Sequence, residues 1–262
     1  MLGDRALACS REQLDVRDKA SVERVLAEQR PDVVINAAAY NAVDAAEAEP
    51  AEALSVNATG PAHLARACRT VGTRLVHVST DYVFDGTATS EPYPEDAPPR
   101  PIGFYGASKL AGELMVAASG CDYLIVRTSG VIGAGGSRAK GGSFVERILA
   151  KARSGESLRV VNDQVFAPTF APDLARGLLA LVTARASGLF HVTNTGACSW
   201  YELAVAALGL AQLDVQVTPV TTAELSLAAR RPAYSVLSNA RYLGLGLPPL
   251  RPWREALAEM LR

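Results

Sequence analysis

Short β-branched and apolar runs recur along this chain at helix-length intervals, and that rhythm limits its fold more than anything else in it. Val33-Val34-Ile35, Leu75-Val76-His77-Val78 and Tyr123-Leu124-Ile125-Val126 read as strands with little polar alternation, as expected of parallel strands covered on both faces. Helical stretches fill the gaps: Ser21 to Leu26 closed by Pro31, about 51 to 71, and from near Tyr105 to about Ser119. Strand and helix alternating in this way predict an α/β fold on a parallel sheet, with the ligand at the strands' carboxyl ends. Arg5 to Cys9 reads as one further, earlier strand.

Later segments keep the alternation. Leu158 to Val161 and Gly188 to Val192 read as strands, and Phe144 to Ser154 as a helix. Pro172-Asp173 suits a first helical turn, and Ser199-Trp200-Tyr201-Glu202 is a capping-box start. The tail from Tyr201 to Arg262 has its own apolar residues and reads as part of a smaller lobe. The expected division is a nucleotide-binding body of residues 1–130 plus about 156–186, and a substrate lobe of about 131–155 plus 187–262.

Composition narrows the function. A net charge of −1 without long single-sign runs argues against nucleic acid or an anionic membrane as partner. Cys9, Cys68, Cys121 and Cys198 form no metal or redox pair, and His63, His77 and His191 lack ligand spacing, so no metal is expected. No apolar stretch reaches bilayer-spanning length and the start lacks a signal-peptide design, which together predict a cytoplasmic protein.

The chemistry concentrates in Tyr105-Gly106-Ala107-Ser108-Lys109. Residues four apart share a helix face, so the Tyr105 phenol and the Lys109 ammonium can meet in one cleft, the cation drawing the phenol's pKa down from about 10. Thr80, just after the strand 75–78, would offer a hydroxyl to a carbonyl. Pro92, Pro94, Pro98, Pro99 and Pro101 make the connection between them a stiff loop. Two segments stay open to two readings. Asn36 to Tyr40 is either a ring- or ribose-facing turn or an Ala-rich helix start; Gly133 to Gly142, with Arg138 and Lys140, is either a pyrophosphate contact or a flexible substrate-side connection.

Taken together, Asn36-Ala37-Ala38-Ala39-Tyr40, Ser79-Thr80-Asp81-Tyr82-Val83-Phe84, Tyr105 to Leu110, Arg127-Thr128-Ser129, Asn162-Asp163-Gln164 and Arg231-Pro232 resemble the extended short-chain dehydrogenase/reductases, and within them the dTDP-4-dehydrorhamnose reductase family. The resemblance implies a Rossmann-like, doubly wound parallel sheet with a smaller C-terminal α/β substrate lobe. It implies reduction of the C4 ketone of a dTDP-linked 4-keto-6-deoxyhexose, with Tyr105 as proton donor, Lys109 tuning that tyrosine and holding the nicotinamide ribose, and Thr80 bonding the ketone. Ser10, Arg11, Asp15, Val16, Ala39, Tyr40 and Asn41 would line the cofactor, and Ser10-Arg11 favours NADPH, with NADH the alternative. Asp81, Tyr82 and Arg231 would face the substrate, and a homodimer is compatible with the family.

Two departures stand out. The family's opening strand and glycine-rich phosphate turn are absent, which reads as a shortened chain, as a relative that uses the cofactor cleft differently, or as a sheet whose first strand another chain supplies; under the first reading the chain should bind cofactor poorly and fold marginally. Gly130 stands where the family typically places a sugar-stacking Trp, removing a large contact surface. A rival of another class is a non-catalytic regulatory subunit, since the beta subunit of methionine adenosyltransferase is similar to these reductases.

Overall fold

Helix α1 (Lys19–Gln29) begins where the Asp18 carboxylate accepts the amides of Ala20 and Ser21, so the cap is Asp18 and the helix starts ahead of Ser21. The structure is a computed structural model and describes residues 6–88, 90–135 and 142–262. Next come β1 (Val33–Asn36), α2 (Ala45–Ala48), α3 (Pro50–Leu54), a π-helical turn at Ser55–Thr59 and α4 (Gly60–Val71). The helix expected over 51–71 is therefore interrupted, and Asn57 lies in the interruption. β2 (Arg74–Thr80) runs into a 3₁₀ turn at Asp81–Val83, and α5 (Phe104–Ala117) leads to β3 (Tyr123–Thr128) and β4 (Val131–Ile132).

The second half contains α6 (Phe144–Arg153), β5 (Leu158–Val161), β6 (Val165–Phe166), β7 (Thr169–Phe170), α7 (Ala171–Thr183) and β8 (Gly188–His191). It ends with β9 (Cys198–Ser199), α8 (Trp200–Leu210), β10 (Val217–Val220), α9 (Ala240–Gly244) and α10 (Trp253–Met260).

β1, β2, β3 and β8 form one parallel sheet in that order. Helices α1, α4 and α5 cover one face through Val22, Leu26, Leu64 and Val116 against Leu75 and Ile125. α7 covers the other with Leu174, Leu178 and Leu181 against Val76, Leu124 and Val126. Covering both faces explains the unbroken apolar strands, and each fully buried aliphatic side chain contributes about 1.5–3 kcal/mol. The result is the Rossmann-like, doubly wound arrangement.

A second cluster unites α6, α8 and α10 over β5, through Ile148, Leu149, Leu203, Leu208 and Leu257. β5 pairs with β10 here, whereas β8 joins the main sheet. The strand at 158–161 thus sits with the second cluster and the strand at 188–191 in the four-stranded sheet. Period and burial alone do not say which sheet a strand joins.

The amino-terminal side of the sheet also differs from expectation. Residues 6–10 are exposed and form no strand, and they pair with no strand among the described residues. β1 is accordingly an edge, and Ile35 is 39% exposed, although Val33 to Ile35 reads as doubly covered. Residues 136–141, which carry Arg138 and Lys140, lie outside the described residues. Among the described residues no helix is long and apolar enough to cross a membrane.

Candidate active site

α5 crosses the carboxyl end of β2 at very short range. A Cβ on Gly106 would come within 2.1 Å of the Tyr82 carbonyl oxygen, so only glycine lets the helix settle onto the 3₁₀ turn. Glu47 accepts the Phe104 amide at 2.9 Å and closes the helix start. Tyr105 is thereby set beside Thr80, with the Tyr82 ring edge-on to it at 5.6 Å between centroids and 77° between planes.

Around Thr80 the hydrogen bonds converge. Its hydroxyl donates to the Asp81 carboxylate at 3.0 Å and accepts the Tyr82 amide at 3.2 Å, and it lies within bonding reach of the Tyr105 phenol. Asp81 is buried and also accepts Ser129 Oγ at 2.8 Å and Ser235 Oγ at 2.6 Å. Three hydroxyls from three separate segments therefore hold one carboxylate. Burial raises the Asp81 pKa, and the three hydroxyls pull it back down. Tyr105 is pushed up to about 12, first by burial, with the Thr80 bond opposing and the Asp81 charge adding to the rise. The phenol keeps its proton through the neutral range.

The Lys109 ammonium, one turn along α5 from Tyr105, donates to the Val78 carbonyl at 2.7 Å. Burial brings Lys109 down to about 8, opposed by the Glu113 charge one turn further along α5. Glu113 is in turn gripped by Arg127 of β3 through Nε at 2.9 Å and Nη2 at 2.6 Å, and by the Ser79 hydroxyl. Positions 105, 109 and 113 share one face of α5, which runs from the cleft into the core.

A cleft of about 920 Å³ opens here at the strands' carboxyl ends. Thr80, Asp81, Tyr82, Tyr105, Lys109, Ala39 and Asn41 all line it. The Ala37–Asn41 turn is held from below: Asn57 accepts the Tyr40 amide and donates to the Tyr40 carbonyl, each at 2.9 Å. That resolves the open reading of Asn36 to Tyr40, which is a turn at the end of β1 and not a helix start. The Tyr40 side chain itself turns aside to Glu49.

Ser10, Arg11, Asp15, Val16 and Arg231 are not on the cleft wall. Arg11 is exposed and meets Asp15 at 3.5 Å, while Arg17 clasps Asp15 and holds its carboxyl well below the usual range. Val16 is buried in the core beneath α4. Arg231 forms a two-pronged pair with Asp44 at 3.1 and 2.6 Å, so this guanidinium is already engaged by a carboxylate.

A nicotinamide cofactor fits one end of this cleft. Small Ala37 and Ala39 are exposed beside the Thr80 and Tyr105 hydroxyls, and Thr128 Oγ1 is buried on the cleft wall without a partner, a polar atom for a polar ring substituent to meet. No glycine-rich turn that could cradle a pyrophosphate precedes α1 among the described residues.

Two aromatic rings of the smaller lobe stand near Gly130. Phe166 fills the space beside Gly130, and it stacks on Trp200, which also lines the cleft. Neither residue stands out in the sequence, because each comes from an element whose neighbour in space is distant in the chain. Only the aromatic directly following the Ser199 cap was available as a signal.

The family model described as the RmlD substrate binding domain matches residues 2–262. The dTDP-4-dehydrorhamnose reductase of Streptomyces griseus is 44% identical over 264 residues, covering 98% of this chain and 85% of the relative. The structure of a dTDP-4-dehydrorhamnose reductase from Clostridium acetobutylicum gives a TM-score of 0.93 at 40% identity, covering 99% of this chain and 91% of that one. The Bacillus anthracis dTDP-4-dehydrorhamnose reductase in complex with NADP gives 0.92 at 38% identity, covering 96% and 88%.

Proposed function

This chain belongs to the dTDP-4-dehydrorhamnose reductase family, and we propose that it reduces the C4 ketone of dTDP-4-dehydrorhamnose to the alcohol of dTDP-rhamnose at the expense of NADPH. The observation that carries the reading is the pair of hydroxyls, Thr80 and Tyr105, set side by side on the wall of the cleft with Lys109 one turn further on.

When bound, NADPH supplies the hydride that C4 receives. The chain's own residues manage the oxygen and its proton. Tyr105 gives its phenolic proton to the C4 oxygen as negative charge builds there, and its raised pKa keeps the donor loaded at neutral pH. Thr80 points its single proton at Asp81, so its hydroxyl turns away from that carboxylate to bond the C4 oxygen. Asp81 keeps Ser129 and Ser235 as donors when the Thr80 hydroxyl turns, holding those two segments beside the 3₁₀ turn. Lys109, charged below its pKa of about 8, places a positive charge on the cofactor side of the cleft. Ala39 and Asn41 would lie along the cofactor, and Tyr82 along the sugar.

We assign cofactor binding to the body carrying the four-stranded sheet and sugar binding to the lobe carrying β5, β10, α6 and α8. Free thiols at Cys9, Cys68, Cys121 and Cys198 suit a reducing cytoplasm, and a homodimer remains part of the proposal. The test is direct: the chain is mixed with NADPH and dTDP-4-dehydrorhamnose, and cofactor consumption is followed together with the formation of dTDP-rhamnose. Stoichiometric conversion supports the reading. Sugar-nucleotide binding without consumption would point to the regulatory role instead.

A further inference from the structure

We propose that Trp200, braced by Phe166 and Phe144, is the surface on which the hexose of the sugar nucleotide packs, making it a specificity-determining residue; the inference rests on the reductase reading above. The wall begins at Gly130, whose φ of +48° and lack of a side chain are both needed where it stands. A Cβ there would lie 2.1 Å from Cε2 of Phe166, so the Phe166 ring occupies the volume that a side chain at 130 would claim. That ring is 3% exposed and stacks on Trp200 with centroids 4.0 Å apart and planes 28° apart. Phe144 leans on Trp200 at 4.7 Å and 60°. Trp200 remains only partly buried, and it borders the same cleft as Thr80 and Tyr105.

The indole is also fixed at its root. Trp200 is the first residue of α8, where the Ser199 amide donates to Glu202 at 2.7 Å, the Glu202 amide donates to Ser199 Oγ at 3.1 Å, and Ser199 Oγ donates to Asn162 at 2.8 Å. Phe144 opens α6 behind a second capping box, Ser143 with Glu146. An aromatic face held this way loses little entropy when a ligand arrives. A 6-deoxyhexose presents apolar C–H faces and a methyl group, which suit a flat indole and the adjoining Val131 and Ile132 of the cleft wall better than a polar lining would. Phe166 is the positioning residue, since it sets the tilt of Trp200.

The experiment compares wild type with Trp200→Leu and Phe166→Leu, which keep apolar bulk and remove the flat face. For each, KM and kcat are measured with dTDP-4-dehydrorhamnose, along with the NADPH KM and the inhibition constant of dTDP, which lacks the hexose. The expected result is a KM for the sugar nucleotide raised about tenfold in Trp200→Leu and less in Phe166→Leu, with dTDP inhibition and the NADPH KM within about twofold of wild type. Equal weakening of dTDP and the sugar nucleotide, or an unchanged KM, overturns the inference. If the variants do not fold, Trp200 fluorescence in Trp253→Phe decides, since the chain has 2 tryptophans. Quenching by dTDP-rhamnose and not by dTDP supports the contact, and any other pattern overturns it. A wild-type chain that consumes no NADPH with this substrate fails the reductase reading itself, a separate outcome.

Discussion

The Lys109 ammonium donates to the Val78 carbonyl at 2.7 Å, which ties the cleft's cation to the central strand. Burial lowers its pKa to about 8, against about 10.4 for a free lysine, while Tyr105 stays near 12. The alkaline limb of activity therefore belongs to Lys109. kcat/KM is expected to fall as pH rises through about 8. Stability should move the other way. Between about 8 and about 10.4 the unfolded chain holds a proton that folded Lys109 has released, so this group's contribution rises with pH. A pH–rate profile flat to about pH 10 would contradict the assignment.

Behind Lys109, Glu113 and Arg127 form an ion pair whose side chains are 6% and 4% exposed. Removing one partner strands a buried charge. Arg127→Met is expected to cost about 3–5 kcal/mol in urea unfolding, or roughly 6–20 °C in Tm. A change under about 1 kcal/mol would mean that the Ser79 hydroxyl alone suffices for Glu113.

At Gly130 a side chain meets both an unfavourable φ of +48° and the Phe166 ring. Gly130→Ala should destabilise by about 1–3 kcal/mol. Adding Phe166→Ala removes the collision, so the double variant should lose less than the sum of the two single losses, as read by chemical denaturation. Simple additivity would show that ring and Cβ do not compete for the same space.

What the sequence makes legible here is local. The spacing of Tyr105 and Lys109, the strands read at 33–35, 75–78 and 123–126, and the box at Ser199 follow from period and capping, which act over a few residues. What it hides depends on the third dimension. Ser235 reaches Asp81 from 154 positions away, Asp44 meets Arg231 from 187, and Phe166 fills the space over Gly130. The loss of an aromatic at 130 read as a missing surface because the chain alone cannot show that a ring from another strand stands there. A shared helix face gives the proximity of Tyr105 and Lys109, but the Val78 carbonyl that the ammonium meets comes from another element and is not legible in the helix spacing.

The central claim is that Tyr105 delivers the proton to the C4 oxygen, and Tyr105→Phe tests it most directly. The variant keeps the ring beside Tyr82 and removes only the hydroxyl next to Thr80. NADPH consumption with dTDP-4-dehydrorhamnose should fall by about 10²–10⁴-fold or more, while NADPH affinity, measured by fluorescence titration on the same preparation, stays within about twofold of wild type. Turnover at the wild-type rate would contradict the account and move the proton to another group in the cleft.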